Sequence, residues 1–248
     1  MNQNHLHKGL ILFLKMFDIN RHKFYLVQIL KDIYSDIELA NYRGFKGGTA
    51  LMLFYDLPRF SIDLDFNLLE NGKEEIVYQK VRKIILKYGT IFDDAKKHFS
   101  PLIVLDYGVG ERKLKVEISN RTFGDNYEIK NLLGFNIKVM MVTNMFAHKL
   151  CALIDRTATT NRDIFDTWFF LQRQTPVNKS IVEYRMKVTW ESHIENCIML
   201  LESLKGKRLL DGLGELMDAG TKKFVKTRLL SDTIDLLKFY QRFPILAT

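Results

Sequence analysis

Two aspartates spaced one residue apart, Asp63 and Asp65, carry the strongest chemical signal in the chain. In Ser61-Ile62-Asp63-Leu64-Asp65-Phe66 polar and apolar residues alternate, and successive side chains of a β-strand point to opposite faces. The pattern predicts a strand that buries Ile62, Leu64 and Phe66 and sets both carboxylates on its exposed face. Positions two apart on a strand are roughly 6.5–7 Å apart, close enough to share one divalent cation or to hold two about 4 Å apart. Such a pair suits metal-dependent phosphoryl transfer. Upstream, Gly47-Gly48-Thr49 stands between a short apolar approach ending at Phe45 and a helical-looking run over 50–55. Glycines at a strand-to-helix turn let the backbone approach a ligand closely, and the N–H groups of a helix start attract phosphate. Thr49 is placed to cap that helix or to hydrogen-bond the ligand. A nucleoside triphosphate and metal site follows, with glycines on the phosphates and carboxylates on the metal. The same stretch also fits a β-turn followed by a polar edge strand.

Three later segments offer matching chemistry. In Leu114-Lys115-Val116-Glu117-Ile118 the apolar residues again hold one parity, so Lys115 and Glu117 share a face. If this strand lies beside the first, Glu117 becomes a third carboxylate, able to help hold Mg²⁺ and activate an attacking hydroxyl; a Lys–Glu surface pair is the structural alternative. Over 142–156, Lys149 and Arg156 project from nearly the same helix face and would suit a triphosphate, or would simply form a solvated edge. Thr160 with Asp163 three residues later resembles a capping box, and Arg162 with Asp166 fits a helical ion pair.

Taken together these segments are more specific than any one of them. KGGTAL at 46–51, YDLPRFSIDLDF at 55–66, LKVEIS at 114–119, AHKLCALIDR at 147–156 and NRDIFDTWFF at 161–170 resemble, in order, the motifs of the AbiEii/AbiGii toxin family of nucleotidyltransferases, a branch of the DNA polymerase β-like superfamily. The resemblance covers about residues 40–175. It implies transfer of a nucleoside monophosphate from an NTP to an acceptor, with release of pyrophosphate. Catalytic roles fall to Asp63, Asp65, Glu117, Lys149 and an acid of the last motif. Asp166 is preferred there over Asp163, because capping already accounts for Asp163. Metal ligation by Mg²⁺ or Mn²⁺ falls to Asp63, Asp65 and Glu117. Nucleotide contacts fall to Gly47, Gly48, Thr49, Ser61, Lys149, Arg156, Arg162 and Asp163. The implied acceptor is RNA, with a tRNA 3′ end foremost, and the implied partner is a cognate antitoxin. Other branches of the superfamily modify protein or small-molecule hydroxyls, and a non-catalytic nucleotide-binding protein is a further alternative.

The elements that must position these residues form an α+β pattern. Helices are predicted over 6–17, 22–39 and 73–88, strands over 101–118 around a turn at Gly108–Gly110, and helices from about 141 to the end, at 178–189, 192–205, 208–218 and 221–242. This gives a nucleotidyltransferase-like mixed sheet with flanking helices over 1–140, and a helical domain over 141–248 that contributes active-site residues. Trp168 and the Phe169-Phe170 pair are expected to pack the two halves together. A 248-residue chain that is 47% hydrophobic can bury a sizeable core, and its net charge of +8 suits a polyanionic partner. Cys151 and Cys197 form no metal or redox pattern, which fits a reducing, cytoplasmic setting. The apolar run at 10–17 is short and interrupted by Lys15, so neither a signal peptide nor a membrane span is expected.

Overall fold

The computed structural model describes residues 18–97, 100–155, 160–204, 212–213 and 217–247. The helix predicted over 6–17 and most of that over 208–218 lie outside the described residues. The chain runs through α1 (Ile19–Ser35), α2 (Ile37–Tyr42), β1 (Arg43–Lys46), α3 (Gly47–Phe54), β2 (Leu64–Leu68) and α4 (Glu74–Ile85). Then come β3 (Thr90–Lys97), β4 (Ser100–Asp106), β5 (Leu114–Ser119), β6 (Tyr127–Leu132) and β7 (Phe135–Met140). Helices follow: α5 (Val142–Asp155), α6 (Asn161–Gln172), α7 (Lys179–Met186), α8 (Trp190–Ser203), α9 (Ala219–Thr227) and α10 (Leu229–Arg242).

All seven strands join one mixed sheet in the order β3-β4-β5-β2-β1-β7-β6. The central pairs β2–β5 and β1–β7 are parallel and β1–β2 is antiparallel, so the acidic strand lies in the middle. Its apolar residues Leu64 and Phe66 are fully buried, together with Phe45 of β1 and Leu114 and Val116 of β5. Helices α1 and α4 pack on each other and on the sheet through Leu26, Ile29, Ile33, Val77 and Val81. The alternation in the sequence thus decides which face is core.

Several elements differ from the pattern expected. A single helix over 22–39 is two, because Asp36 takes an extended backbone and accepts from the Leu39 N–H at 3.0 Å, capping the second helix. The helix expected over 221–242 is likewise divided, at Arg228. Strand β3 and the β6–β7 hairpin were not anticipated. The hairpin closes on Leu133-Gly134, both with positive φ (49° and 90°), a two-residue turn of the kind that usually carries Asn-Gly. Leu133 at that position hides the signal. Of the aromatics of α6, Phe170 stacks on Phe146 of α5 at 4.9 Å and Trp168 meets Phe224 of α9 at 4.5 Å, while Phe169 and Phe170 belong to the same continuous core as the sheet residues. Among the described residues no helix is long and apolar enough to cross a membrane.

Candidate active site

The carboxylates are set by sheet register. Asp65 pairs with Glu117 of β5 on one side and with Lys46 of β1 on the other, so Glu117, Asp65 and Lys46 form a row across three strands on the face opposite the core. Asp63 precedes β2 by one residue and keeps the same parity. The strand is therefore shorter than the alternation predicts. Its polar face is the floor of a cleft of about 680 Å³ and not an open surface: the Asp63 side chain is only 21% exposed. Lys115, from the next row of β5, lies 3.2 Å from Glu117 Oε2 and 3.9 Å from Asp63 Oδ2.

The glycine pair owes its identity to this floor. Gly47 has φ +82°, and a Cβ there would sit 2.5 Å from Asp65 Oδ2. A Cβ at Gly48 would meet Ser61 Oγ at 2.8 Å and the Arg59 guanidinium at 2.9 Å. Backbone must pass close beneath the carboxylates, and only glycine leaves room. Thr49 does neither of the things expected of it: its hydroxyl is fully buried and donates to the Asp63 carbonyl at 2.5 Å. It anchors the acidic segment to α3 from below.

Opposite the acidic floor, α5 and α6 present a charged cluster. Asp166, fully buried, accepts two hydrogen bonds from Arg59 at 2.7 and 2.6 Å in a bidentate fork, and pairs with Lys149 at 2.7 Å. Lys149 also donates to Asp163 at 3.2 Å. Burial pushes the Asp166 carboxyl up, but Arg59 and Lys149 outweigh it and hold the group at about 2. Burial pushes the Lys149 ammonium down, and Asp166 and Asp163 more than compensate, so its pKa ends above the usual lysine value. Lys149 thus stays charged beside the cleft. Thr160 is the N-cap of α6 and Asp163 the partner that the spacing predicts: the Asp163 N–H donates to Thr160 Oγ1 at 3.3 Å, and the Thr160 hydroxyl donates to the Asp163 carboxylate at 2.6 Å. The helical ion pair of Arg162 with Asp166 does not form, because Arg59 and Lys149 already hold that carboxylate; Arg162 instead faces the cleft and acts electrostatically on Asp63.

Both floor aspartates are pushed above the ordinary carboxyl value, first by burial and further by carboxylate neighbours, against the pull of Lys115. Carboxylates crowded and desolvated in this way favour a bound cation. An all-oxygen pair fits Mg²⁺ or Mn²⁺. Among the described residues no three His, Cys, Asp or Glu side chains are gathered to hold a metal ion, so Glu117, whose carboxylate is met by Lys115, does not join Asp63 and Asp65 as the third ligand expected; Mg²⁺ is usually held by one or two carboxylates together with substrate phosphates.

A strand-borne acidic row, a glycine turn beneath it and a caged lysine opposite make up a phosphoryl-transfer cleft. A sequence model of the nucleotidyl transferase AbiEii toxins of type IV toxin–antitoxin systems matches residues 28–230. The chain belongs to this family. Two solved structures share its fold: a candidate nucleotidyltransferase from H. pylori, 21% identical with a TM-score of 0.58, and JHP933 from Helicobacter pylori, 22% identical with a TM-score of 0.57. Each similarity covers 91% of this chain and 95% of the other. No curated protein sequence matches. As an AbiEii-family member the chain is a nucleotidyltransferase, and membership in a type IV toxin–antitoxin family implies a cognate antitoxin.

Measured against the motifs of this AbiEii chain, the cleft gathers most of the residues singled out in the sequence. Gly47, Gly48, Ser61, Asp63, Asp65 and Glu117 line its sheet side, and Lys149, Arg162 and Asp163 its helical side. Two are placed differently. Thr49 and Asp166 are fully buried, so Asp166 positions Lys149 and Arg59 and does not itself face a substrate. Arg156 lies outside the described residues. The Lys115–Glu117 pair offered as the structural alternative forms, at 3.2 Å, whereas sequence reasoning missed Arg59, Lys46, His148 and Arg185. Arg59 stood inside the YDLPRFSIDLDF motif, and a lone arginine among apolar residues is a signal for a buried ion partner. The others acquire meaning only from partners distant in sequence.

Proposed function

We propose that the protein is a metal-dependent nucleotidyltransferase that moves a nucleoside monophosphate from an NTP to RNA, with a tRNA 3′ end as acceptor, as the toxin of its pair. The observation that carries this reading is the register of Asp65 with Glu117, beside Asp63 and facing Lys149. Asp63 and Asp65 hold Mg²⁺ or Mn²⁺, which supplies charge neutralisation for the phosphates and the attacking oxygen. The triphosphate lies against the N–H groups of Gly47 and Gly48 and against Ser61, Arg59, Lys149 and Arg162. The acceptor hydroxyl attacks the α-phosphorus; a new P–O bond forms, the α–β bridging bond breaks, and pyrophosphate leaves with its charge met by Lys149 and Arg162. Glu117, in register beside Asp65, takes the hydroxyl proton.

The test is incubation of the purified protein with Mg²⁺, each α-labelled NTP and a total RNA plus protein extract, beside Asp63→Ala. Label on a tRNA-sized band that depends on Asp63 is the expected result. Label on protein or a small molecule in its place would reassign the acceptor, and nucleotide binding with no label on any acceptor would mark a binding protein.

A further inference from the structure

His148 and Lys149 are neighbours on α5, so their side chains leave the helix about 100° apart. They serve different clusters. Lys149 turns to Asp163 and Asp166, whereas His148 turns to the loop before β6 and to α7. His148 Nε2 lies 2.6 Å from Asp125 Oδ1, and its Nδ1 lies 2.9 Å from Arg185 Nη1. A guanidinium only donates, so Nδ1 is the acceptor and Nε2 carries the proton given to Asp125. His148 is a neutral link, held so because burial lowers its pKa and outweighs the pull of Asp125. Asp125 is fixed in turn by Asn67 of β2, whose Nδ2 donates to it at 3.1 Å and to the Tyr127 hydroxyl at 2.8 Å.

Arg185 completes the chain. It donates to Asp155 Oδ2 through Nε at 3.3 Å and Nη2 at 2.7 Å, and its guanidinium lies 5.2 Å from the centre of the Phe123 ring. Three of its five N–H groups are thereby spent and two remain. The side chain lines the cleft and is 18% exposed. Its acidic partner Asp155 is 44% exposed and screened by solvent, and its other partner is a neutral imidazole, so the guanidinium keeps most of its field.

The position of this arginine gives it a use. Lys46 lies in register with Asp65 and lines the same cleft, and burial lowers its pKa against the pull of Asp65, Asp125 and Glu117. Two separately held cationic groups thus line the cleft: Arg59 and Lys149 gathered about Asp166, and Arg185 held by His148 and by Asp155, which lines the cleft as well. A single triphosphate accounts for one of them. We infer that Arg185, which lines the same cleft as Lys46 and Asp65, binds a backbone phosphate of the acceptor strand and so sets the attacking hydroxyl over Asp65. This inference rests on the nucleic-acid acceptor proposed above.

The experiment uses a short fluorescent RNA ending in a 3′-deoxynucleotide, which binds without reacting, and measures its affinity across salt concentrations for the wild type, Arg185→Gln and Arg185→Lys. NTP affinity and transfer to the matching 3′-hydroxyl RNA are measured in parallel. Arg185→Gln is expected to lose about tenfold in RNA affinity and to reduce the slope of log K against log salt by about 0.7, one single-strand phosphate contact. NTP affinity stays within about twofold, and Arg185→Lys recovers the slope because it keeps the charge. A merely structural arginine would lower Tm and both affinities without changing the slope. Unchanged RNA affinity and slope in Arg185→Gln, loss of NTP affinity in place of RNA affinity, or no RNA binding by the wild type would each overturn the inference. Absence of label on RNA with the wild-type protein sinks the proposed function instead, whereas intact transfer with unaltered RNA binding in Arg185→Gln sinks only this one.

Discussion

At the scale of single residues, the two sets of carboxylates are tuned in opposite directions. Asp65 is held above its ordinary pKa by burial, so its ionised form costs stability above that pKa, and the cost fades as pH falls through it. Asp65→Asn is therefore expected to raise the Tm of the metal-free protein at neutral pH by about 2–4 °C while reducing transfer more than about 100-fold, a trade of stability for function visible by thermal unfolding and a labelled-transfer assay. Asp166 runs the other way. Its folded pKa of about 2 lies below the ordinary 3.8, so it contributes stability that is fully present above 3.8 and is lost as pH falls towards 2. Asp166→Asn leaves the buried Arg59 without its counter-charge and Lys149 with Asp163 alone, and urea unfolding should show a loss of about 3–5 kcal/mol at pH 7. A small loss there would mean that Asp163 alone holds the lysine.

At the scale of elements, two turns make the next predictions. The β1–α3 turn brings backbone under Asp65, so Gly47→Ala combines a strained positive φ with a contact of 2.5 Å to the carboxylate. Transfer should fall at least about tenfold with a smaller change in unfolding midpoint, as circular dichroism and the transfer assay would show. The β6–β7 turn is the opposite case, a site where the native residue is the poor one. Leu133 has φ +49° and is 81% exposed. Leu133→Asn creates the Asn-Gly pair that this turn prefers and should stabilise the protein by about 0.5–1 kcal/mol in urea titration, leaving transfer unchanged.

The whole molecule is a sheet and a set of helices that meet over one cleft, with acids on the sheet side and the Arg59–Asp166–Lys149 cluster joining the β2 approach to α5 and α6. A ligand bound there contacts both sides and stabilises only the folded arrangement. Saturating Mg²⁺ with a non-hydrolysable NTP analogue, at about 100 times its dissociation constant, should add about 2.7 kcal/mol to the unfolding free energy. The same addition should do little for Asp63→Ala. Equal stabilisation of that variant would place the nucleotide elsewhere.

The sequence by itself determined the local pieces. Alternation around Asp63 and Asp65 and around Glu117 stated which residues face the core, Gly47-Gly48 marked a close backbone approach, and Thr160-x-x-Asp163 predicted its own cap, because each of these depends on neighbours only a few residues away. Family motifs then supplied their order. Tertiary structure decided what no local pattern encodes: that Glu117 lies beside Asp65, that Asp166 is spent on Arg59 across 107 positions of chain, that Thr49 faces the Asp63 carbonyl, and that His148 holds Arg185 in the cleft. Strand register and the buried Arg59–Asp166 pair depend on segments that meet only once the chain has packed. The chemistry of each residue was legible in advance, but its partner was fixed by packing.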